Sequence, residues 1–596
     1  MEPLRIAALV KQIPRFEAME LGPDGRLVRA GLELELNAYC RRAVAQAVAL
    51  AAERAGTVTV ITLGPPTAED CLREAIAWGT DRGVDTTGVL LTDPAFAGSD
   101  TLATARALAA ALDRLGPFDL VLTGRNSVDA DTGQVGPQLA TLLDLPFATA
   151  ARHLTLDDRT LNLRCEHDDG WAQVRIPLPA VVSTAERLID PCKVEPERRD
   201  TVPAERITTI DAATLGPGPW GADASPTWVG PVRVVEAERA RTIVRGATVD
   251  EQVAEAVALL AARGALDAST DDAVDRGTVP EPDEDPDRTI GVLVEPARAP
   301  LTRELLGAAA GLGGLVVALT PEEPDAAAFG SWGADEIVHL PELEVEEDVA
   351  SGVATWARAL DPWAILGPST AWGREVAARV SAALGTGLTG DAVGLEESDD
   401  HRLVAWKPAF GGALVAAIQS RTDPQMATVR AGMLPQLTPR SVVAPVVALP
   451  VERRGRVQLL ARTRDDDLDV LAEAQAVVGV GQGIEPDEYP LLDPLLQVLG
   501  AELAATRKVT DRGWLPRARQ VGITGRSIAP RLYVLLGASG KFNHMVGVRA
   551  ARTVLAINPD PDAPAFEMAD VGIVGSWHEV LPALVPAVAA ATAALA

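Results

Sequence analysis

Short apolar runs separated by amphipathic segments recur along most of the chain. One such run at residues 6–10 opens the sequence and another at 290–294 opens its second part, and each is followed by alternating helix-like and strand-like segments. Short, fully apolar strands that alternate with helices are typical of a parallel sheet covered on both faces. The pattern therefore predicts an α/β protein.

One stretch, between Leu266 and Arg288, interrupts this alternation. It is rich in acidic residues and proline and has little apolar surface to bury, which predicts a solvated linker between two parts of comparable size. A third α/β block follows Pro439. The predicted divisions are a first domain at 1–265, the linker at 266–288, a second domain at 289–440, a hinge at 441–455 and a third domain at 456–596.

The two parts repeat one pattern. A strand-like segment at 117–124 is followed by a loop and a helix-like segment at 136–143, and the segment at 361–367 is followed in the same way by 373–384. A repeated strand–loop–helix unit predicts two homologous parallel-sheet domains that pack about a pseudo-twofold axis.

Composition and charge limit the class of partner. Lys and Arg number 54 against 83 Asp and Glu, a net charge of −29, which disfavours nucleic acid and anionic membranes as partners. No apolar run predicts a membrane span and the first residues do not resemble a secretory signal, so we expect a cytoplasmic protein. The spacing of the cysteines fits no metal site and predicts free buried thiols at Cys40, Cys71, Cys165 and Cys192.

Glycine-rich turns and polar residues border the apolar strands near the C-terminus. The turn Val521–Gly525 precedes a strand at 532–536, which ends in a second turn at 537–540, and a strand at 554–557 ends on Asn558. An open α/β sheet binds ligands at the carboxyl ends of its strands, and glycine turns bring backbone N–H groups close to an anion. This block is therefore predicted to hold a phosphate-bearing ligand.

The same block resembles the FAD domain of the α subunit of electron-transfer flavoproteins. It contains, in order, counterparts of the QVGQTGK, GxSGxxxH, AINxDxxAPxF and ADxGIVG motifs of that family. The resemblance implies that FAD is bound here by a defined set of residues. They are Gly481, Gln482, Thr506, Arg507, Gln520, Val521, Gly522, Thr524, Gly525, Ser539, Gly540, Asn543, His544, Asn558 and Asp570.

The resemblance implies particular roles for three of these side chains. Arg507 would lie over the flavin ring, the Thr524 hydroxyl would bond flavin N5, and His544 would lie near flavin O2. A cation beside the ring stabilises negative charge that develops there on reduction. Taken alone, a histidine such as His544 is more often an ordinary core or surface residue. Four ordered motifs favour the flavin interpretation.

The chain departs from the family pattern at three positions near this site. Gln482 stands in the GVGQG turn at 479–483, where the family has GGRG and an arginine that approaches the cofactor pyrophosphate. Ile523 replaces a glutamine beside Thr524, and Arg526 stands where lysine is usual. We expect FAD to bind with an affinity and a potential that differ from those of typical members.

The first half resembles the β subunit of the same flavoproteins. The segments at 10–14, 37–40, 123–137 and 178–182 are similar to its VKQVP, NPFC, GRQAIDxDTxQVGP and LPAVV motifs. The resemblance implies a β-type half fused to an α-type half, each with a Rossmann-like, adenine nucleotide α-hydrolase-like domain. It also implies that residues 200–266 form an arm around the α-type half, and that one chain equals the usual αβ heterodimer.

A loop in the β-type half is implied to bind a second nucleotide. In most of the family this pocket holds AMP, and in electron-bifurcating members it holds a second FAD that exchanges hydride with NADH. AMP and a second FAD are both candidate ligands of this loop. The implied residues are Asp131, Thr132, Gly133, Gln134, Val135 and Gly136.

The leading hypothesis is a FAD-dependent electron carrier rather than a substrate-converting enzyme. It would accept electrons from a flavin dehydrogenase, such as an acyl-CoA dehydrogenase, and deliver them to a quinone reductase or similar acceptor, with residues 431–455 as the swivel of a mobile flavin domain. Glu195 stands where the family's docking loop presents a leucine, so the donor is not identified. Two alternatives are an NADH-dependent bifurcating flavoprotein with two FADs and a non-redox adenine-nucleotide-binding protein.

Overall fold

The fold is α/β throughout and is built on three mainly parallel sheets, as predicted. The computed structural model describes residues 3–14, 33–168, 170–234, 239–267, 277–409, 414–464, 469–522 and 525–595.

The first half is organised around the buried strand β1, whose residues 6–10 are all apolar. Its neighbours continue a parallel sheet in the order β11-β5-β4-β1-β6-β10-β7, and the hairpin strands β8 and β9 extend it antiparallel. The strands are β1 (Arg5–Val10), β2 (Gln12–Pro14), β3 (Leu34–Leu36), β4 (Thr57–Leu63), β5 (Asp85–Leu91), β6 (Leu120–Gly124), β7 (Phe147–Asp157), β8 (Thr160–Glu166), β9 (Gly170–Pro177), β10 (Ala180–Thr184) and β11 (Ile207–Ile210).

Alanine-rich helices cover both faces of this sheet. The Asp100 carboxylate caps one of them by accepting from the Ala103 N–H at 2.9 Å, which satisfies a donor that the first helical turn leaves unpaired. The helices are α1 (Ala38–Glu53), α2 (Glu69–Thr80), α3 (Thr101–Leu115) and α4 (Val135–Leu142), with short 3₁₀ turns at Pro66–Ala68 and Pro94–Phe96.

An extended segment links the first half to the rest of the chain. Its last helix is capped by Thr248, whose hydroxyl accepts from the Glu251 N–H at 3.2 Å. The elements are α5 (Pro196–Asp200), a 3₁₀ turn at Ala204–Arg206, α6 (Ala212–Leu215), α7 (Gly221–Ala224), β12 (Thr227–Val234), β13 (Thr242–Ile243) and α8 (Val249–Ala262).

The second half repeats the topology of the first. Its sheet runs β23-β16-β15-β14-β17-β22-β18, so the strand that opens each half lies at the equivalent central position. The strands are β14 (Thr289–Leu293), β15 (Leu315–Thr320), β16 (Glu336–His339), β17 (Ala364–Pro368), β18 (Leu388–Ala392), β19 (Gly394–Glu397), β20 (Leu403–Ala409), β21 (Leu414–Ser420), β22 (Gln425–Val429) and β23 (Val446–Ala448). The helices are α9 (Ala299–Leu312), α10 (Ala326–Trp332), α11 (Glu346–Leu360) and α12 (Ala371–Leu384).

The two halves meet through equivalent helices. Helix α4 packs on α12, and the Gln138 amide nitrogen donates to the Ser381 hydroxyl at 3.1 Å across this contact. Helix α4 follows β6 and α12 follows β17, the same position in each sheet. This pairing is the arrangement that the predicted pseudo-twofold packing requires.

The third block is a smaller parallel sheet in the order β29-β28-β27-β25-β26. Its strands are β25 (Ala476–Val480), β26 (Glu502–Ala505), β27 (Leu532–Leu536), β28 (Thr553–Asn558) and β29 (Val571–Val574), and they are preceded in the chain by β24 (Gln458–Arg464), which belongs to the first sheet. The helices are α13 (Asp469–Glu473), α14 (Asp493–Leu499), α15 (Arg507–Asp511), α16 (Phe542–Met545) and α17 (Trp577–Leu595). Short 3₁₀ segments lie at Pro486–Leu492, Arg517–Arg519, Val546–Val548 and Pro564–Met568.

The segment predicted as an arm joins two sheets beyond its own half. Strand β12 pairs antiparallel with β21 of the second half, and β13 pairs in parallel with β29 of the third block. Helix α8 then packs against α17, and Val253, Ala256 and Leu260 enter the core of the third block. The arm therefore holds both later parts of the chain.

The predicted boundaries near residues 441–464 differ from the structure. The expected hinge at 441–455 contributes β23 to the second sheet, and Arg454 and Arg456 form ion pairs with Asp144 and Glu347. Strand β24, expected in the third domain, pairs antiparallel with β9 of the first half. Sequence periodicity identifies a strand without showing which sheet it joins, so the compact third domain begins only after β24.

Part of the predicted linker is packed rather than solvated. Val279 is buried in the core of the second half, and Thr278 bridges to Thr438. Residues 280–287 are mostly exposed, as the composition predicts, and 268–276 lie outside the described residues.

The last helix, α17, is apolar and long enough to cross a membrane by length and composition. In the fold it lies against the third sheet instead, with Val580, Leu581, Leu584 and Val588 in the same core as the strands. Its apolar face is thus used in packing.

Candidate functional site

The third sheet has a topological switch point between β25 and β27. The chain passes from β25 to β26 on one side and then crosses to β27 on the other. In open α/β sheets, ligands bind outside the carboxyl ends of the strands at such a point. Two glycine turns lie here, residues 481–483 after β25 and 537–540 after β27.

These turns touch each other through their backbones. The Gly483 N–H donates to the Gly537 carbonyl at 2.9 Å, and a Cβ at Gly481 would lie 2.3 Å from that same oxygen. Gly540 has a φ of +67°, and a Cβ there would lie 2.2 Å from Ala565 Cα. Glycine is therefore required at both positions to form this tight cradle.

The side chains predicted beyond β26 also lie at this edge. Thr506 precedes α15, and Arg507 is its first residue with 48% of its side chain exposed. The Arg507 Nε lies 3.3 Å from Asp511, and Asp511 also pairs with Arg187 of the first half. Arg507 is thus available at the surface beside a contact between domains.

The Gln482 side chain contacts an arginine from another segment. When the Gln482 amide is oriented with its oxygen towards Arg512, that oxygen accepts from Arg512 Nε at 2.9 Å and from Nη2 at 3.0 Å. The Arg512 guanidinium also lies 4.8 Å from the centre of the Trp514 ring. A cation is therefore present at the turn even though the turn itself lacks an arginine.

Two further predicted residues support the second turn. The Asn558 amide donates to the Ala538 carbonyl at 2.9 Å and its oxygen accepts from the Asp560 N–H at 2.9 Å. Ser539 is exposed, and its carbonyl accepts from the Ala565 N–H. Asn558 therefore shapes the turn, and the Ser539 hydroxyl, which bonds to none of the described residues, can meet a ligand.

His544 is buried and bonded within the protein. Its Nδ1 lies 3.0 Å from the Val521 carbonyl and its Nε2 lies 2.7 Å from the Tyr533 hydroxyl. The carbonyl accepts only, so Nδ1 carries the proton and Nε2 accepts from Tyr533. Burial lowers the pKa of His544 to about 4. The imidazole is therefore neutral and supports the Val521 turn, and its place near flavin O2 stays a prediction.

Asp570 is also a structural residue in this fold. Its side chain has no exposed surface, and it accepts from Arg239 at 2.8 Å, Arg263 at 2.7 Å and the Val554 N–H at 2.8 Å. The two arginines belong to the arm, so the carboxylate fastens the arm to the sheet. The implied contact of Asp570 with the cofactor stays a prediction.

The remaining predicted residues surround the turn that ends at Gly525. Gln520 is buried and its amide oxygen accepts from the Thr510 hydroxyl at 2.7 Å, while Val521 is buried beside it. Gly522 and Gly525 line the cleft described next, and Asn543 is exposed. Thr524 and its neighbour Ile523 lie outside the described residues.

A cleft lies where all three parts of the described structure meet. Its volume is about 440 Å³. The first half contributes the loop at 125–133, the second half contributes 369–375, and the third block contributes 525–528. Arg507, Gln482 and Ser539 do not line it, so this cleft and the sheet edge are two adjoining regions.

Buried charges organise the wall of the cleft. Asp391 accepts from Arg374 at 3.3 Å and from Arg430 Nε at 3.0 Å. Burial alone would raise the pKa of Asp391, but Arg430 and Arg374 outweigh it and hold that pKa well below its usual range. The carboxylate is therefore ionised and keeps both guanidinium groups at the cleft.

The predicted second-nucleotide loop forms another wall. Asp131 lies 3.6 Å from Arg374, and Gly133 is half-buried with a φ of +66°, which favours glycine. Lys11, which lies between β1 and β2, holds the same loop by bonding Ser127 at 3.1 Å and Asp129 at 2.8 Å. The loop is thus preorganised at the carboxyl edge of the first sheet.

Gln134 and the residues beside it serve the packing of the two halves. The Gln134 side chain accepts from the Thr101 hydroxyl at 2.7 Å and donates to the Leu388 carbonyl at 3.3 Å. Gly136 is buried in α4, while Thr132 and Val135 are half-buried. Gln134 is therefore engaged across the interface between the halves.

The residues at the sheet edge fit a dinucleotide such as FAD. The glycine turns have no side chains that would keep a ligand away from their backbone N–H groups. Ser539 offers a hydroxyl, and Arg507 and Arg512 supply positive charge. Backbone cradles and guanidinium groups are the donors that phosphates prefer. The four cysteines are free and buried, as predicted.

Sequence reasoning missed the charged residues that surround the cleft. Arg374, Asp391, Arg430 and Arg517 stand in four separate segments, and no motif marks any of them. Only a buried aspartate at the end of a strand could have suggested Asp391, because buried carboxylates require a partner.

Comparison with known proteins agrees with this arrangement. The profile of the "Electron transfer flavoprotein domain" matches residues 24–214 and 292–453, and that of the "Electron transfer flavoprotein FAD-binding domain" matches 470–549. The chain is 37% identical over 266 residues to the electron transfer flavoprotein subunit alpha of Thermoanaerobacterium thermosaccharolyticum. This alignment covers 43% of this chain and 81% of the relative.

Two other relatives show the breadth of the similarity. Protein FixB of Bradyrhizobium diazoefficiens is 37% identical over 234 residues, covering 38% of this chain and 63% of that protein. The lactate dehydrogenase (NAD(+),ferredoxin) subunit LctC of Acetobacterium woodii is 33% identical over 266 residues, covering 42% of this chain and 63% of that subunit. Since the first profile alone matches more than half of the residues, this chain belongs to the electron transfer flavoprotein family.

Proposed function

We propose that this chain is a single-polypeptide electron carrier that uses FAD to move electrons between other proteins. The proposal rests chiefly on the third sheet, whose glycine cradle opens to solvent at the switch point while its domain contacts both halves. When bound, FAD would supply the redox chemistry, and the protein would supply binding, orientation and charge. An exposed cofactor edge suits exchange with a protein partner better than conversion of an enclosed substrate.

We propose that the first half is β-type and the second α-type, fused in one chain. The repeated sheet order, the two matches to one domain profile and the arm that crosses the later parts all support this interpretation. The fused chain would be the monomeric equivalent of an αβ heterodimer. Its linker would keep the halves together on dilution, because tethering sets a high effective concentration.

The proposed FAD site draws its direct contacts from the residues that the family resemblance implies. Arg507 and Thr524 would flank the ring, and the turns would hold the phosphates and ribityl chain. His544 and Asp570 would act indirectly, by supporting the Val521 turn and the arm. The proposed direct contacts are Gly481, Gln482, Thr506, Arg507, Gly522, Thr524, Gly525, Ser539, Gly540 and Asn543.

The proposed partners are proteins with redox groups of their own. A flavin dehydrogenase of the acyl-CoA dehydrogenase type would be the donor, and a quinone reductase or similar acceptor would receive the electrons. The segment 187–196 would meet the donor, with exposed Glu195 at the start of α5 in place of an apolar anchor. An acidic residue there favours a donor with a basic contact surface. We place the exchange in the cytoplasm.

In the first half we propose a nucleotide at the loop from Asp131 to Gly136. AMP would be structural there. A second FAD is the other candidate, and with it an NADH-dependent bifurcating function. The similarity to a subunit named for NAD(+) and ferredoxin favours keeping that second candidate.

The nucleotides released by denaturing the purified chain separate these proposals. FAD with AMP in equal amounts supports the carrier. Two FADs per chain, with rapid reduction by NADH, support the bifurcating function instead. A chain that contains no flavin and binds none after incubation with FAD contradicts both.

Transfer itself is tested with the flavin-loaded chain, a purified acyl-CoA dehydrogenase with its substrate, and a dye acceptor. Dye reduction that requires all three components supports the carrier. Reduction at the same rate without this chain contradicts it.

A further inference from the structure

We infer that Arg512 is a phosphate-binding residue of the FAD site and that Gln482 positions it. The inference rests on the proposed FAD-binding function. It adds a contact that lies outside the glycine motifs, because Arg512 is 30 positions away from the turn that it serves.

The first glycine turn needs a cation from elsewhere in the chain. Residues 481–483 read Gly-Gln-Gly and contain no basic side chain. The turn nonetheless lies at the switch point, where a dinucleotide's pyrophosphate meets the end of the first strand. In a chain with a net charge of −29, a doubly charged anion at this edge requires local positive charge.

Arg512 is placed to supply that charge. Its Nε and Nη2 donate to the Gln482 amide oxygen at 2.9 and 3.0 Å, and its guanidinium packs over Trp514 at 4.8 Å from the ring centre. Both partners are neutral. The residue follows α15 directly, so a rigid turn at the same sheet edge carries it.

The charge of Arg512 is not neutralised within the protein. Across the described ranges of the chain, no carboxylate lies within 4.0 Å of its guanidinium, whereas Arg507 five residues earlier pairs with Asp511. Two of five N–H donors are used by Gln482, which leaves the others for a ligand. A guanidinium fixed in position and still charged matches the paired oxygens of a phosphate.

An amide suits position 482 better than a carboxylate would. An amide oxygen at the turn orients the guanidinium without cancelling its charge, as a carboxylate would. Family members carry the cation in the turn itself. Here Arg512 supplies it from outside the turn, and Gln482 within the turn orients Arg512.

The test measures binding of FAD, ADP and adenosine to the full-length chain after its flavin is removed. Replacing Arg512→Gln should weaken FAD and ADP about tenfold, the loss expected for one charge-assisted contact, and leave adenosine unchanged. Arg82→Gln is the matched control, since Arg82 also stacks on a tryptophan, at 3.2 Å from the Trp78 ring, but lies in the first half.

A charge-relocation variant makes the test specific. Gln482→Arg combined with Arg512→Gln should recover most of the affinity for FAD, because the cation returns to the turn. Gln482→Ala alone should weaken FAD less than Arg512→Gln does, since the charge remains but is no longer aimed.

Three results would overturn the inference. Equal FAD affinity in Arg512→Gln and wild type would show that the guanidinium does not contact the ligand. An equal loss of adenosine would assign Arg512 to the base rather than to the phosphates. Failure of the relocation variant to recover affinity would show a structural role. If wild type itself binds no FAD, the proposed function fails instead.

Discussion

Arg430 of the second half donates a hydrogen bond from Nη1 to the Ser527 hydroxyl of the FAD-binding domain at 2.7 Å. The same guanidinium is held by Asp391 inside its own domain. Two further described contacts of the FAD-binding domain are ion pairs with the first half, Arg187 with Asp511 and Arg517 with Glu166. Contacts of this polar kind can separate without exposing apolar surface of their own.

Arg517→Gln should loosen the docking of the FAD-binding domain, because Arg517 pairs with both Glu166 and Glu186 of the first half. The radius of gyration measured by small-angle scattering should increase, and salt should have a smaller effect on the variant than on wild type. Arg519→Gln is the control, since Arg519 pairs with Glu502 inside its own domain. Identical scattering from both variants would contradict the prediction.

Asp570→Asn should destabilise the FAD-binding domain by about 3 kcal/mol, because it leaves the buried Arg239 and the partly buried Arg263 without their carboxylate. Release of flavin fluorescence during urea unfolding reports on this domain. Asp562→Asn, an exposed position in the same domain, is the control. An unchanged unfolding midpoint would mean that the arm is held by its strand and helix alone.

The stability of the FAD-binding domain should fall as the pH decreases from about 6.5 towards 4 because of His544. Its folded-state pKa is about 4 and the unfolded value is about 6.5, so the unfolded chain binds an additional proton in this window. The stabilisation is complete above pH 6.5, and the loss approaches about 3 kcal/mol below pH 4.

Unfolding midpoints measured across this pH range check the assignment. His544→Asn should reduce the slope of stability against pH between 6.5 and 4. His578→Asn, at an exposed position on α17, should leave that slope as in wild type. Equal slopes in all three proteins would rule out His544 as the source.

Gly481→Ala should weaken FAD binding at least tenfold, about 1.4 kcal/mol. The added Cβ would lie 2.3 Å from the Gly537 carbonyl, so the two turns would have to separate. Gly311→Ala is the control, because a Cβ there meets no atom within 4 Å. Fluorescence quenching of added FAD measures the affinity, and wild-type binding by Gly481→Ala would show that the turns tolerate separation.

Local sequence patterns predicted the α/β class, the duplication, the free cysteines and the glycine turns. Each is encoded by neighbouring residues. Apolar periodicity forms the strands, and glycine at Gly481 or Gly540 is dictated by the turn in which it stands. The strand–loop–helix repeat was visible for the same reason, since every copy folds from its own continuous segment.

Contacts between distant segments had no such signal. Asp570 meets arginines 331 and 307 positions away, Arg512 serves a turn 30 positions earlier, and β24 leaves its own domain for the sheet of the first half. Charge, strand propensity and polarity are recorded in the sequence, but a charged side chain or an unpaired strand edge can accept several partners. Tertiary packing decides which of them is in reach, and it decided the roles of Asp570, His544 and Arg512.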